Sequence, residues 1–321
     1  MGATPKILTI GKASQDVFLG GSIFRAKSEN GVPYEHLALG AKLDVEMAVF
    51  ATGGNATNAA VTFARSGLHA KYLWALGHES ASQAVLADLD VEGIDTSGVV
   101  MDNDYSASYS AILLAPNGER TILNYHGKMP HSSGAPLDLS LIDDVDWLYV
   151  SSLGSLELLE KVISRAAKHG VKVAMNPAAT ELSEPAKLKG LLEDVEVLLL
   201  NREEMAQLVH GDSLEELVRH GTNYCPIVVV SDGPRGVMAT DSKEVIHGGL
   251  YEDVKVIDRT GAGDAFGSGF VSMIARGKGL REAVVFGSAN STSVVTKVGA
   301  KDGILHAGAE LHDMPLHIKP F

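Results

Sequence analysis

The stretch of residues 254–270 constrains the fold of this chain more than any other, and it reads VKVIDRTGAGDAFGSGF. Its first four residues are mostly β-branched, as in a short buried strand. From Ala265 onward the apolar residues Phe266, Phe270 and Met273 recur at helical spacing. The pattern therefore predicts a strand at residues 254–257 that enters a helix through a turn at residues 258–264.

The predicted turn carries almost no side-chain bulk, since it contains Gly261, Ala262 and Gly263. Its backbone N–H groups can approach a ligand closely, and they lie at the positive end of the helix dipole. Such a turn binds phosphate oxygens or the charge that develops during phosphoryl transfer.

Asp264 follows the turn directly. A carboxylate at a helix start is often only a cap. Beside an anion site, however, it would repel a bound phosphate unless it had another task. Accepting a proton from an attacking hydroxyl is the task that fits, so the sequence predicts Asp264 as a general base for phosphoryl transfer.

Residues 258–264, DRTGAGD, resemble the C-terminal signature of the ribokinase-like (PfkB-type) carbohydrate kinases. That family uses ATP to phosphorylate hydroxyl groups of sugars or nucleosides, and the resemblance implies Asp264 as the base and Gly261 to Gly263 as the anion hole. Arg259 departs from the pattern, because the family most often has Thr or another small residue there. The sequence contains no GxxxxGK[ST] loop and no GxGxxG after a strand.

Composition narrows the classes of protein and partner. A chain of 321 residues with 45% apolar residues can form one large α/β domain or two smaller ones. The formal net charge of -13 argues against nucleic acid or an anionic membrane as a partner. The single Cys225 fits a reducing compartment, and no signal peptide or membrane-spanning run is found. The sequence therefore predicts a cytoplasmic protein.

Apolar runs alternate with helical stretches such as residues 156–168. The predicted strands cover residues 6–10, 71–76, 147–151, 171–175, 195–200 and 227–231. This alternation favours an α/β fold with a parallel sheet covered on both faces. The resemblance makes the expectation more specific: a ribokinase-like three-layer α/β/α core with a mostly parallel central sheet, plus a small β-sheet lid.

Two segments interrupt the alternation, at residues 17–52 and 101–127. The first is glycine-rich and lacks helical periodicity, which is typical of a functional lid. The second contains two alternating runs, 105–115 and 120–125, around the hairpin signal PNGE. The resemblance implies that the two segments form a lid that closes over the sugar and serves as the interface of a homodimer. The core then comprises residues 1–16, 53–100 and 128–321.

On the substrate side, Asp16 follows the first predicted strand, and ligands gather at the carboxyl ends of parallel strands. From the residues alone, a solvated loop carboxylate is an equal alternative. The resemblance implies that Asp16 binds substrate hydroxyls and that Gly53, Gly54 and Asn58 of the GGNATN segment contact the substrate. A glycine-rich turn with Asn55 as the helix N-cap would explain that segment without a ligand.

On the nucleotide side, Asn201 and Glu204 are close to a capping box. They also resemble the Asn-x-x-Glu motif that relatives associate with Mg²⁺, mostly through water, and with the phosphates. The resemblance implies that ATP is contacted by Asn201, Ser231, Gly233, Gly236 and Asn290. The resemblance also implies a site for a monovalent cation such as K⁺ at Asp258, Thr260 and Gly299.

The function predicted is ATP-dependent phosphotransfer to a hydroxyl of a sugar, as in a ribokinase or fructokinase. A nucleoside kinase is the main alternative, since lid aromatics could stack on a base or equally pack the lid strands. Those aromatics are Phe18, Tyr34, Tyr105 and Tyr109. A phosphosugar kinase that uses Arg25, Lys27 and Lys128, and a regulator that binds ligand without turnover, are also open.

Overall fold

The computed structural model describes residues 3–117, 119–129, 136–249, 254–311 and 313–321. The strands of these residues, in chain order, are β1 (Lys6–Gly11), β2 (Ser14–Gly20), β3 (Lys27–Glu29), β4 (Val32–Tyr34), β5 (Met47–Gly53), β6 (His69–Leu73), β7 (Ala75–Leu76), β8 (Val100–Met101), β9 (Ser108–Leu114), β10 (Arg120–Tyr125), β11 (Trp147–Ser151), β12 (Lys172–Asn176), β13 (Val197–Asn201), β14 (Ile227–Ser231), β15 (Val237–Thr240), β16 (Glu244–Gly248) and β17 (Leu316–Pro320). The α-helices are α1 (Asn55–Arg65), α2 (Ser80–Val91), α3 (Leu156–His169), α4 (Ala179–Leu182), α5 (Pro185–Leu191), α6 (Arg202–Leu208), α7 (Leu214–Gly221), α8 (Ala262–Ala275) and α9 (Leu280–Val294).

Among the described residues, nine strands form the central sheet in the order β17-β16-β15-β14-β13-β12-β11-β1-β6. The strands from β6 to β14 pair in parallel, and β15, β16 and β17 extend the sheet antiparallel. Every residue of β11 is buried, as expected for a parallel strand covered on both faces. Helices α1, α8 and α9 pack together as one group, and α3, α5, α6 and α7 as another. The predicted three-layer α/β/α core is confirmed.

The predicted lid is a separate four-stranded sheet in the order β10-β9-β2-β5. The hairpin of β9 and β10 is confirmed by antiparallel pairing, while Gly118 of its turn lies outside the described residues. Residues 14–16, predicted as part of the core, lie instead in β2 of the lid, and β5 reaches Gly53. Periodicity could not show this, because β1 and β2 follow each other with only two residues between them.

The prediction of a strand at residues 254–257 is wrong, since these residues belong to no strand or helix. The N–H of Ile257 donates to the carbonyl of Val295 at 2.7 Å. Val256 and Ile257 are about half exposed, and Val254 and Val256 line a cavity. β-Branched residues favour a strand only where a neighbouring strand pairs with them, and here they form a cavity wall.

Within the described residues, no helix combines the length and the hydropathy that crossing a bilayer requires.

Candidate active site

The site is centred on the first turn of α8. Gly261 adopts the left-handed conformation with φ 77°, and a Cβ at this position would lie 2.8 Å from the Cα of Ala300. The helix begins at Ala262, earlier than the Ala265 predicted, so Asp264 lies within its first turn. A Cβ on Gly263 would meet open space. Packing therefore requires glycine at position 261. At position 263 packing would allow a side chain, and glycine there leaves the space in front of the helix open.

Asp264 is half-buried and lines a cavity. Burial raises its pKa to about 6; the hydrogen bond from Asn58 opposes this shift, and the negative charge of Glu204 adds to it. The Nδ2 of Asn58 donates to Oδ2 of Asp264 at 2.8 Å. A carboxylate with this pKa is ionised at neutral pH and binds a proton more readily than a solvated Asp does, which suits a general base.

Asn58 reaches Asp264 because α1 starts at the carboxyl end of β5. Gly54 caps α1 with φ 98°, and a Cβ there would lie 2.6 Å from the Cα of Ala13. The expectation that Asn55 is the N-cap is wrong: Asn55 is the first helical residue, and its Nδ2 donates to Oγ of Ser152 at 3.3 Å. Asn58 is one turn further along and is buried.

Asp16 lies in β2 of the lid rather than in a loop after β1, and it is buried. Burial raises its pKa, and hydrogen bonds from Ser110 and Ser14 oppose the shift. A Cβ on Gly53 would collide with the Asp16 carboxylate, so the structure brings these two predicted residues together. Sequence reasoning missed both serines. Ser110 is the register partner of Asp16 on β9, a relation that only the sheet pairing shows.

The larger of two cavities near α8 has a volume of about 310 Å³. Three predicted nucleotide residues line it: Ser231, Gly233 and Gly236. Asn290 does not line it, because its side chain is fully buried. Its Nδ2 donates to the carbonyl of Ala265 at 2.8 Å and its Oδ1 accepts from the N–H of Leu305 at 2.8 Å. Ser288, Ser291 and Thr292 of α9 face the cavity, as does Val295, the residue after the end of α9.

The smaller cavity has a volume of about 140 Å³ and shares Ser231, Gly263 and Phe266 with the larger one. Asn201 and Glu204 line it together with Asp264. These two residues also form the capping box of α6, with reciprocal hydrogen bonds of 2.9 Å. Sequence reasoning gave Asn176 no role, yet it lines this cavity because β12 and β13 end at the same edge of the sheet.

Glu204 is the residue here that fits Mg²⁺. Burial raises its pKa, and its described hydrogen bonds engage Oε2 and leave Oε1 available. Within the described residues, no cluster of three or more His, Cys, Asp or Glu side chains could hold a metal without other ligands. Mg²⁺ keeps several waters and is commonly shared with substrate phosphates, so one carboxylate beside a phosphate site is a sufficient protein contribution.

The three residues predicted for a monovalent cation come together around the Asp258 carboxylate. Thr260 donates to Oδ1 from its N–H at 3.0 Å and from Oγ1 at 2.8 Å. The N–H of Gly299 donates to Oδ2 at 3.0 Å. These contacts are all hydrogen bonds donated to Asp258, so they stabilise the loop, and the binding of a monovalent cation by these residues stays a prediction.

Comparison with known proteins gives a consistent result. The model of the pfkB family carbohydrate kinases matches residues 30–307. A ribokinase of Haemophilus influenzae is 28% identical over 263 residues, which cover 79% of this chain and 84% of the relative. The structure of Arabidopsis thaliana ribokinase complexed with ribose and ATP superposes with a TM-score of 0.76 at 19% identity, covering 95% of this chain and 96% of that one. The adenosine kinase of Sinorhizobium meliloti superposes with a TM-score of 0.75 at 20% identity, covering 93% and 96%.

Proposed function

Because the chain belongs to the pfkB family of carbohydrate kinases and is an ATP-dependent kinase, we propose that it phosphorylates a hydroxyl group of a sugar. One observation carries this proposal: Asp264, with a pKa of about 6, lies where the smaller cavity meets the open N-terminus of α8. A base and an anion site are thereby adjacent, and both face a space that continues into the larger cavity.

In this proposal the acceptor oxygen attacks the γ-phosphorus of ATP while Asp264 takes its proton. The bond between the γ-phosphorus and ADP breaks, and its electron pair stays on the β-phosphate of ADP. Backbone N–H groups at residues 261–263 stabilise the charge on the moving phosphoryl group. Bound Mg²⁺ would neutralise the phosphates beside Glu204. Asp16, Gly53, Gly54 and Asn58 would orient the acceptor, and the lid would exclude water from ATP.

A sugar fits the acceptor site better than a nucleoside. A stacking platform for a base would need an exposed aromatic ring beside Asp16. Phe18 is fully buried and Tyr105 nearly so, and the exposed Tyr34 lies in the separate two-stranded sheet of β3 and β4. Tyr109 is the register partner of Gln15, so it lies on the opposite face of the lid from Asp16. Polar groups, the serines and Asp16, occupy the face where the acceptor would bind.

The other acceptor class, phosphosugars, gains no support from the lid cations. Lys128 lines a separate cavity with His78 and Tyr125, and Arg25 and Lys27 are exposed. Activation by K⁺ stays a prediction. It would have to use carbonyl oxygens of the loop, because the described contacts of Asp258 are donated hydrogen bonds.

We also propose a homodimer formed through the lid, in the cytoplasm. Strand β10 is the edge of the lid sheet and is exposed along its whole length. Leu123 on β10 is 57% exposed and Phe50 on β5 is 68% exposed. A long exposed edge strand with apolar residues favours pairing with another chain. The buried thiol of Cys225 is consistent with a reducing compartment.

The test is ADP release from Mg-ATP by purified protein, with ribose, fructose, 2-keto-3-deoxygluconate, fructose 6-phosphate, adenosine, inosine, guanosine and cytidine as acceptors. Each is assayed in potassium and in sodium buffer. The Asp264→Asn variant runs beside the wild type to exclude contaminating kinases. Turnover with a sugar that depends on Asp264 is the expected result. Turnover confined to nucleosides would overturn the sugar assignment, and ATP binding without any transfer would favour a regulator.

A further inference from the structure

Arg259 is the one departure from the family signature that the proposed function leaves unexplained. It stands in the loop before α8, three residues before the helix begins. Its side chain is exposed and lines the larger cavity beside Ala262 and Gly263. Within the described residues, its guanidinium makes no hydrogen bond or ion pair, and only its backbone carbonyl is engaged, by the N–H of Ala262 at 3.3 Å.

In the part of the chain that the structure describes, the carboxylates on the loops around the larger cavity have partners other than Arg259. Asp258, the adjacent residue, directs its carboxylate to Thr260 and Gly299. Asp232 is engaged by two other arginines: Arg235 donates to it at 2.7 and 2.6 Å, and Arg202 at 3.3 Å. As far as the described residues go, the charge of Arg259 is thus available to a ligand, unlike that of Arg202 and Arg235.

The charged side chains in the two cavities are mostly acidic, which is unfavourable for a bound nucleotide. Among the described residues, the charged side chains that line them are Arg259, Glu204 and Asp264. Two of these three are acidic, and the whole chain carries a formal net charge of -13. The phosphates of ATP carry about four negative charges, and they would lie beside Gly263, where the cavities join. Arg259 is the protein cation in the described lining that can offset this repulsion, and a guanidinium matches phosphate oxygens in geometry.

We propose that Arg259 is a phosphate-binding residue of this kinase, and that its guanidinium donates hydrogen bonds to the ADP part of the nucleotide. This inference rests on the proposed function. During transfer the electron pair of the breaking bond stays on the β-phosphate, so the charge that Arg259 neutralises grows as the reaction proceeds. Arg259 thereby supplements the backbone anion site in front of α8.

The experiment measures binding of ADP and of adenosine by calorimetry in Mg²⁺ buffer, and counts adenosine only at the site from which ADP displaces it. The proteins are the wild type, Arg259→Thr, Arg259→Lys and the control Arg276→Thr. Arg276 is exposed at the far end of α8, so its replacement removes the same charge away from the cavities. Arg259→Thr should weaken ADP binding about 10- to 100-fold and leave adenosine binding unchanged. Arg259→Lys should fall between, and Arg276→Thr should match the wild type.

The outcomes separate the two proposals. If the wild type binds ADP and Arg259→Thr binds it equally well, the inference is wrong and the kinase assignment stands. If adenosine and ADP lose affinity to the same extent, Arg259 has a structural role and the inference is again wrong. If the wild type binds neither ATP nor ADP, both proposals fail. The Tm of each free protein shows whether the variants are folded.

Discussion

Replacing Asp264 by Asn should lower kinase activity and at the same time stabilise the folded protein. Burial holds the carboxylate at a pKa of about 6, against an ordinary value of 3.8. Each pKa unit of that difference costs about 1.4 kcal/mol when the group is charged, so the ionised carboxylate destabilises the fold by about 3 kcal/mol. Asn has nearly the same shape without the charge, and its carbonyl can still accept from Asn58.

The sign of the pH dependence follows from proton binding. Between pH 3.8 and about 6, the folded state keeps the Asp264 proton while the unfolded state has released it. The contribution of this group to the free energy of unfolding therefore falls as the pH rises through that window. Asp264→Asn is neutral throughout. Its gain in unfolding free energy over the wild type should be about 3 kcal/mol at pH 8 and about half that at pH 5.

The assay is urea unfolding at both pH values, with Asp44→Asn as the control because Asp44 is exposed in a lid loop. In parallel, kcat/KM of the wild type should decline below a pKa of about 6, and Asp264→Asn should reduce it about 10²- to 10⁴-fold. A variant no more stable than the wild type at pH 8 would refute the burial argument. Near-normal turnover would refute the assignment of the base.

Three further predictions concern the predicted anion site, the buried Lys301 and the assembly. Gly263→Ala should keep the wild-type Tm and weaken ATP binding about tenfold, because its Cβ enters the open space in front of α8. Gly261→Ala should instead lose about 1–2 kcal/mol of stability, and similar behaviour of the two variants would contradict this geometry. Lys301→Met should destabilise the protein by about 1–3 kcal/mol in urea unfolding, because the buried ammonium donates to Asp88 at 2.8 Å. An unchanged urea midpoint would show that this contact does not stabilise the fold. Leu123→Lys should convert a dimer into a monomer by light scattering, and a monomeric wild type would exclude the lid interface.

Much of the fold could be predicted because the signals are local. Alternating apolar runs and helical stretches indicated the parallel sheet, and the turn residues between two alternating runs indicated the hairpin of β9 and β10. The strand at residues 254–257 failed for the same reason. Its β-branched residues satisfy a local preference, but a strand also needs a partner, and these residues line the larger cavity instead.

The same difference between local signals and tertiary packing separates the site residues that the sequence could indicate from those that it could not. The small residues at 261–263 predict an anion site because a backbone that approaches a ligand must lack side chains, and this requirement is visible in the sequence. The direction of a side chain on a helix is less visible. Asn290 was predicted to line a pocket, but the packing of α9 on α8 turns its amide to the carbonyl of Ala265.

The sequence by itself determined the fold class, the family signature and the residue that is predicted to act as a base, Asp264. Only the tertiary structure decided the pKa of its carboxylate. Asn58 and Asp264 are 206 positions apart, and the pKa of the carboxylate depends on the water that surrounding elements exclude. It likewise placed Asp16 on the lid, and it gave Arg259 no partner among the residues that the structure describes. Burial and long-range pairing arise from the packing of distant segments, which local periodicity does not record.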